Sequence, residues 1–131
     1  MARILVAEDD AHIIRIMSLW LRQHGHEVIE TRNGADALKQ LETESVDVII
    51  TDMNMPILDG CGLATGVRQQ LKLDTPILML SSRCDQFELR ERTRPLGVTL
   101  YPKPFVPSRL VLEIDRLLAG DSAGQLEQSL T

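Results

Sequence analysis

The chain has 131 residues, enough for one domain with a substantial core and too few for two domains of ordinary size. A net charge of −5 argues against nucleic acid as a direct partner, because phosphate backbones attract basic surfaces. Its apolar runs are far shorter than the roughly 18 residues of a membrane span. The first residues already resemble a strand, which leaves no space for a signal peptide. We therefore expect a cytoplasmic protein without membrane or nucleic-acid partners.

Short apolar runs and amphipathic stretches alternate along the chain. Residues 3–8 predict a buried strand, and Asp10 suits the N-cap of a helix over 11–24 that stops at Gly25. The predicted apolar face of that helix comprises Ile13, Ile14, Met17, Leu19 and Leu21. Later strands are predicted over 27–31, 46–51, 76–80 and 98–101, and later helices over 35–44, 61–72, 85–96 and 107–119. We expect one domain over 1–119 and a flexible tail over 120–131.

This alternation indicates the α/β class, with a parallel sheet covered by helices on both faces. In open sheets of that kind, the ligand site lies beyond the carboxyl ends of the strands. Polar residues stand at four of the predicted strand ends: Glu8 and Asp9, then Asp52, Ser81 and Lys103. We therefore expect these side chains to meet at one edge of the sheet.

Carboxylates held close together repel, and each raises the pKa of its neighbour. A hard divalent cation with oxygen ligands relieves that repulsion, and Mg²⁺ (or Mn²⁺) suits Glu8, Asp9 and Asp52, with a neutral oxygen from the Asn54 backbone carbonyl. A carboxylate beside such a cation can take a phosphoryl group as a nucleophile, a role that suits Asp52. The carboxylate pattern therefore predicts metal-assisted phosphoryl transfer.

Phosphoryl transfer also needs donors for the phosphoryl oxygens. The Ser81 hydroxyl can donate to one oxygen. Lys103 can form a charge-assisted bond to another, and it can pair with a carboxylate when no phosphate is bound. The candidate residues therefore cover every role in the reaction without a separate acid or base.

The ordered motifs resemble the signature set of bacterial two-component receiver domains over residues 3 to about 119. They are Glu8-Asp9-Asp10, Asp52 with Met55-Pro56-Ile57-Leu58-Asp59-Gly60, Ser81-Ser82 and Lys103-Pro104-Phe105. The resemblance, to stand-alone receivers of the chemotaxis-regulator type, implies a flavodoxin-like five-stranded sheet in the order 2-1-3-4-5. It also implies that Asp52 takes phosphate from a histidine kinase, that Glu8, Asp9, Asp52 and the Asn54 carbonyl hold Mg²⁺, and that the Lys103–Pro104 peptide is cis.

The chain departs from the family pattern at two positions. Ser81 stands where the family more often has Thr, which keeps the hydroxyl. The aromatic switch residue of the family usually lies three positions before the lysine, where this chain has Leu100, and Tyr101 follows. Either Tyr101 takes the switch role in a shifted strand, or the aromatic signal is absent. In similar proteins the positions of Asn54 and Arg83 tune the lifetime of the phosphate, and we expect Arg83 to slow its hydrolysis.

The favoured interpretation is a stand-alone phosphorylation switch, not an enzyme with an external substrate. A sensor histidine kinase or a histidine phosphotransfer protein would supply the phosphate, and a downstream protein would bind the fourth helix and fifth strand. Dimerisation through the last two helices stays open. Three alternatives remain: an interaction module that is never phosphorylated, a receiver fragment of a longer regulator, and a metal-dependent phosphatase, which would need a second acid or base where Asn54 stands.

Overall fold

A computed structural model of the protein describes residues 2–82 and 86–120. In that part of the chain, five parallel strands form one sheet in the order β2-β1-β3-β4-β5. They are β1 Arg3–Ala7, β2 Glu27–Thr31, β3 Val48–Asp52, β4 Ile77–Ser81 and β5 Val98–Pro102. The helices between and after them are α1 Ala11–Gln23, α2 Gly34–Thr43, α3 Gly60–Thr65, α4 Phe87–Thr93 and α5 Pro107–Leu118. The predicted class and the strand order that the resemblance implied are both confirmed.

Side chains that alternate along the strands fill two cores, one on each side of the sheet. The α1/α5 face, where α1 and α5 cover the sheet, buries Ile4, Val6, Met17, Val48, Ile50, Leu78, Leu80, Leu110 and Ile114, among others. The α2/α3/α4 face, on the other side, buries Leu5, Ala37, Leu41, Ile49, Leu63, Ile77, Met79, Leu89 and Val98, among others. Both faces of every central strand are apolar, so the charged groups collect at the two ends of the sheet.

Helix α1 begins where the sequence predicted. The Asp10 side chain accepts the backbone N–H groups of His12 and Ile13, at 2.9 and 3.2 Å, which caps the first turn. The predicted apolar face was wrong at Leu19, which is 53% exposed. At 100° per residue, Leu19 lies about 200° around the helix from the buried Met17, so it points away from the sheet.

Other boundaries differ from the prediction for local reasons. Strand β3 is displaced to Val48–Asp52, which makes Asp52 the last strand residue instead of the first loop residue. Helix α3 continues as a π-helical turn over Gly66–Gln70. Helix α4 ends at Thr93 and a 3₁₀ turn follows, because Pro95 has no N–H to continue the α-helical pattern.

Two further expectations concern residues outside the described ranges. The predicted start of the fourth helix at residue 85 and the tail from residue 121 onward both fall there. Within the described ranges, the structure contains no helix of the length and hydropathy that a bilayer span requires.

Candidate functional site

The carboxylates of the site come together because paired residues of β1 and β3 point their side chains to the same face of the sheet. In β1 and β3, which pair in parallel, Val6 and Ile50 are register partners that both point into the α1/α5 face. Two residues further on, the same alternation carries Glu8 and Asp52 to that side of the sheet. Their exposures are only 2% and 3%. Carboxylate oxygens of Glu8, Asp52 and the exposed Asp9 all lie within 4.8 Å of one another.

Asp52 has a partner at each of its two carboxylate oxygens. The Lys103 ammonium forms an ion pair with Oδ1, and the backbone N–H of Asn54 donates to Oδ2 at 3.2 Å. Lys103 directly follows β5, and its own N–H donates to the Ser81 carbonyl at 3.1 Å. The peptide between Lys103 and Pro104 is cis, as the resemblance implied. Asp52 is therefore buried, paired with an ammonium group and oriented at the carboxyl edge of the sheet.

Glu8 is less completely satisfied than Asp52. Its Oε2 accepts the backbone N–H of Asp10 at 3.2 Å. Its Oε1 is buried and has no hydrogen-bond partner among the residues that the structure describes. Burial raises the pKa of Glu8 to about 7. The Asp10 N–H and the Lys103 charge lower this pKa, whereas the Asp52 charge and the adjacent Asp9 carboxyl raise it. Without a cation, the site therefore favours the protonated form of Glu8 more than water does.

The donor set fits a hard divalent cation. Carboxylate oxygens are the ligands that such cations prefer, and three carboxylates converge here. The free oxygen of Glu8 in a buried position is what a missing ligand would leave behind. Glu8, Asp9 and Asp52 could therefore hold a metal ion. Asn54, through its N–H, is already part of the same site.

Ser81 lies at the same edge of the sheet. It is the last residue of β4, it is buried, and its Cα pairs in register with Pro102 of β5. The preceding residue, Leu80, is the register partner of Asp52. Ser81 therefore lies beside the carboxyl end of β3, where Asp52 stands, and beside the carboxyl end of β5, which Lys103 follows.

The two candidate switch residues point to opposite faces. Leu100 is the register partner of Met79 and packs on the α2/α3/α4 face. Tyr101 packs on the α1/α5 face, where burial raises the pKa of its phenol and Arg109 of α5 opposes the rise. The two side chains thus lie on different sides of the sheet. Which of them acts as the switch residue stays a prediction.

Arg83, the expected tuning residue, lies outside the described residues, and its role stays an expectation.

Sequence reasoning missed Arg32, whose Nη1 donates to the Asp9 backbone carbonyl at 3.4 Å. A single arginine after a strand carries no signal of that contact. It also missed Leu58, whose carbonyl accepts the Gly34 N–H at 2.9 Å and so ties the loop after Asp52 to α2. That contact joins residues far apart in sequence.

Comparison with known proteins agrees with this geometry. A family model described as the response regulator receiver domain matches residues 4–115. The chain is 36% identical over 117 residues to the alkaline phosphatase synthesis transcriptional regulatory protein PhoP of Bacillus subtilis, covering 88% of this chain and 48% of that protein. The chain spans about half the length of the curated relatives it matches.

Two solved structures are similar over nearly their whole length. The chemotaxis response regulator CheY4 of Vibrio cholerae has a TM-score of 0.81 and 34% identity, covering 88% of this chain and 98% of that one. The receiver domain of the sensor histidine kinase PA1611 of Pseudomonas aeruginosa, described with a magnesium ion in its active-site cleft, has a TM-score of 0.80 and 26% identity, covering 91% and 98%. This chain belongs to the response regulator receiver domain family, whose members are signalling domains of two-component systems and not conventional enzymes.

Proposed function

We propose that the chain accepts a phosphoryl group on Asp52 and that phosphorylation changes its affinity for a partner protein. The observation that carries the proposal is the placement of Asp52, which is buried between the Lys103 ammonium and the carboxylates of Glu8 and Asp9. A nucleophilic carboxylate must be held in a fixed orientation, and the bonds from Lys103 and the Asn54 N–H support that role for Asp52.

Each residue of the site has a role in the proposed transfer. With phosphohistidine as donor, an Asp52 oxygen bonds to phosphorus while the phosphorus–nitrogen bond breaks, and the departing imidazole takes a proton from solvent. Lys103 moves from the carboxylate to a phosphoryl oxygen, and the Ser81 hydroxyl donates to another. Glu8, Asp9, Asp52 and the Asn54 carbonyl would hold Mg²⁺ or Mn²⁺, which when bound supplies positive charge beside the phosphoryl oxygens.

The receiver family and the magnesium of the PA1611 receiver support the choice of donor and of metal. We assign the donor as a sensor histidine kinase or a histidine phosphotransfer protein, in the cytoplasm. We place output on α4 and β5, where Leu100 offers an aliphatic contact. Asn54 and Arg83 are the positions at which we expect the phosphate lifetime to be set. A homodimer is compatible with this scheme.

The free energy available for switching, about 3–6 kcal/mol from two bonds, reaches the requirement for a complete switch only at the upper end of its range, so partial switching is equally compatible with the site. Phosphorylation adds roughly −1.5 to −2 charges. A shift from 1:99 to 99:1 between two states needs about 5.5 kcal/mol of differential interaction. Two bonds to charged groups, from Ser81 and Lys103, contribute about 1.5–3 kcal/mol each. We therefore expect phosphorylation to bias an existing equilibrium between two conformations.

A second candidate is that the chain is the receiver part of a longer transcriptional regulator. The observation that favours it is the coverage, since the chain spans 48% of the transcriptional regulatory protein PhoP. The length of the native gene product distinguishes the two candidates: a DNA-binding region after this receiver would support the longer regulator, and its absence would support the stand-alone switch.

The central experiment is incubation with phosphoramidate and Mg²⁺, followed by intact mass measurement. We expect the wild-type chain to gain one phosphoryl group and Asp52→Asn to gain none. Asp74→Asn, which removes an exposed carboxylate elsewhere, serves as the matched control and should behave as the wild type. An unmodified wild-type chain would favour an interaction module that is never phosphorylated. Multiple turnover of a phosphate ester would favour a phosphatase.

A further inference from the structure

The loop after Asp52 holds Ile57 in a backbone conformation that isoleucine avoids. Ile57 has φ +70°, and Lys72 is the other non-glycine residue with positive φ in the described part of the chain. A β-branched side chain is strained there, because its Cβ crowds the backbone. The Ile57 side chain is also 81% exposed, the largest exposure among the exposed large hydrophobic residues described. Burial inside the chain therefore does nothing to offset the strain.

Leu58 imposes this conformation on its neighbour. The Leu58 N–H donates to the Pro56 carbonyl at 2.7 Å and closes a three-residue turn around Ile57. The Leu58 side chain packs against two glycines: a Cβ would lie 3.1 Å from it at Gly34 and 2.9 Å from its Cγ at Gly62. Because the half-buried Leu58 side chain is held against these two glycines, the adjacent Ile57 side chain points to solvent.

The loop that carries Ile57 is tied to Asp52 at one end and to the adjacent residue, Met53, at the other. The N–H of Asn54 donates to the Asp52 carboxylate, and the N–H of Gly60 donates to the Met53 carbonyl at 2.9 Å. The exposed side chain is therefore held in a fixed relation to Asp52. Any macromolecule that brings a phosphorylated side chain to Asp52 must cover part of the edge of the sheet from which this loop rises.

Folding alone gives no reason for isoleucine at this position. Glycine or asparagine adopts positive φ with less strain, and either suits a solvent-exposed turn better. A single exposed apolar residue needs no explanation, but a strained β-branched one in the loop that follows Asp52 does, because backbone strain persists mainly at functional sites. A small phosphodonor has no apolar surface to bury, whereas a protein donor has.

We propose that Ile57 is a docking residue for a protein phosphodonor, packing against an apolar surface of the donor next to its phosphohistidine. This inference rests on the proposed phosphorylation of Asp52 and adds to it the contact that favours a protein donor over a small one. Ile57 contributes to the encounter with the donor and takes no part in the chemistry at Asp52.

The test compares two donors on the same variants. The small donor is phosphoramidate, and the protein donor is the autophosphorylated kinase that transfers fastest to the wild-type chain in a panel of purified histidine kinases. For Ile57→Asn we expect the second-order rate constant from the kinase to fall about tenfold or more, equivalent to about 1.4 kcal/mol. We expect the rate from phosphoramidate to stay close to the wild-type value and Tm to stay equal or rise.

Two control variants separate docking from general effects of a lost apolar residue. Ile57→Val keeps a β-branched apolar side chain and should retain most of the kinase transfer. Leu112→Asn removes an apolar side chain from α5 that is 63% exposed, and it should transfer as the wild type does.

Two outcomes would overturn the inference. Equal losses with both donors would mean that Ile57→Asn disturbs the site itself. An unchanged rate from the kinase would mean that the donor does not contact this side chain. Failure of the wild-type chain to react with phosphoramidate is a different result, which overturns the proposed function itself.

Discussion

Charged groups are paired differently at the two ends of the sheet. At the amino ends of the strands, the Arg3 guanidinium donates to Glu27 at 2.7 Å, to Glu44 at 2.8 Å and to the Ser45 carbonyl at 3.0 Å. The Arg3 backbone N–H donates to Asp47 at 2.8 Å. These groups are largely exposed, and each charge has a partner.

At the carboxyl ends, three carboxylates converge on one ammonium. Asp52 pairs with Lys103, while Oε1 of Glu8 stays buried without a hydrogen-bond partner in the described part of the chain. Exposed charges that are fully paired contribute modestly to stability and need nothing more. Buried charges that are incompletely paired cost stability and leave binding capacity for a ligand. The contrast indicates that the charges at the amino end stabilise the fold, whereas the charges at the carboxyl end are available to bind a ligand.

The largest effect should come from Lys103→Met, because it leaves the buried Asp52 carboxylate without its counter-ion. We expect a loss of about 3 kcal/mol in the free energy of unfolding without Mg²⁺, measured with urea. We also expect the rate of phosphorylation by phosphoramidate to fall by about 100-fold. Lys39→Met, on the exposed surface of α2, is the matched control. An unfolding curve unchanged by Lys103→Met would remove the contrast between the two ends.

The next effect concerns Glu8 and pH. Its pKa is raised from 4.5 to about 7, so the metal-free folded state holds a proton that the unfolded state has already lost. The contribution of Glu8 to the free energy of unfolding therefore falls as the pH rises from 4.5 to about 7, and it is lowest above about pH 7. Mg²⁺ binds the ionised form, so we expect its apparent affinity to be about tenfold weaker near pH 6 than near pH 8.

Calorimetric titration with Mg²⁺ at the two pH values measures this difference, and the increase in Tm caused by Mg²⁺ should follow it. Glu8→Gln, which cannot ionise, should bind Mg²⁺ more weakly and with little dependence on pH. Equal affinity of the wild-type chain at both pH values would mean that Glu8 is not a ligand.

At the amino end, Arg3→Met should have a smaller effect on stability than Lys103→Met. The ion pairs of Arg3 are exposed, and salt screens them, so the difference from wild type should shrink at high ionic strength. The phosphorylation rate should not change. A phosphorylation defect in Arg3→Met would show that the two ends are coupled, contrary to the contrast drawn above.

The smallest effect should come from Tyr101→Phe. The ring packs on the α1/α5 face and the hydroxyl takes no part in the carboxylate cluster, so phosphorylation should be unaffected. In the wild-type chain, spectroscopic titration should show the phenol ionising above pH 10, because burial raises its pKa. Slower phosphorylation of Tyr101→Phe would contradict this prediction and would mean that the Tyr101 hydroxyl takes part in the site.

The fold class and the meeting of the carboxylates at one edge of the sheet were predictable from short-range periodicity, whereas the strand order was implied only by the family resemblance. Strands of a doubly covered parallel sheet must be apolar, and alternation then carries residues such as Glu8 and Asp52 to a common edge. The raised pKa of Glu8 was foreseeable in direction from its carboxylate neighbours, but its main cause, burial, needs the three-dimensional structure.

What sequence reasoning missed depends on contacts between distant segments. The exposure of Leu19 follows from which side of α1 meets the sheet. The conformation of Ile57 follows from Leu58, whose place is fixed by Gly34 more than twenty positions earlier. The packing of Leu100 and Tyr101 on opposite faces required the position of β5 in the sheet.

The glycines that the structure describes include two kinds that a saturation mutagenesis library would separate. At Gly25, with φ +86°, an added methyl carbon would meet nothing within 4 Å beyond the adjoining residues, so the constraint is torsional and asparagine should survive selection there. At Gly60, a methyl carbon would lie 2.5 Å from the Asp52 carbonyl oxygen, so the constraint is volume. We expect every substitution at Gly60 to be depleted, alanine included, because the smallest side chain would already push against the backbone of Asp52.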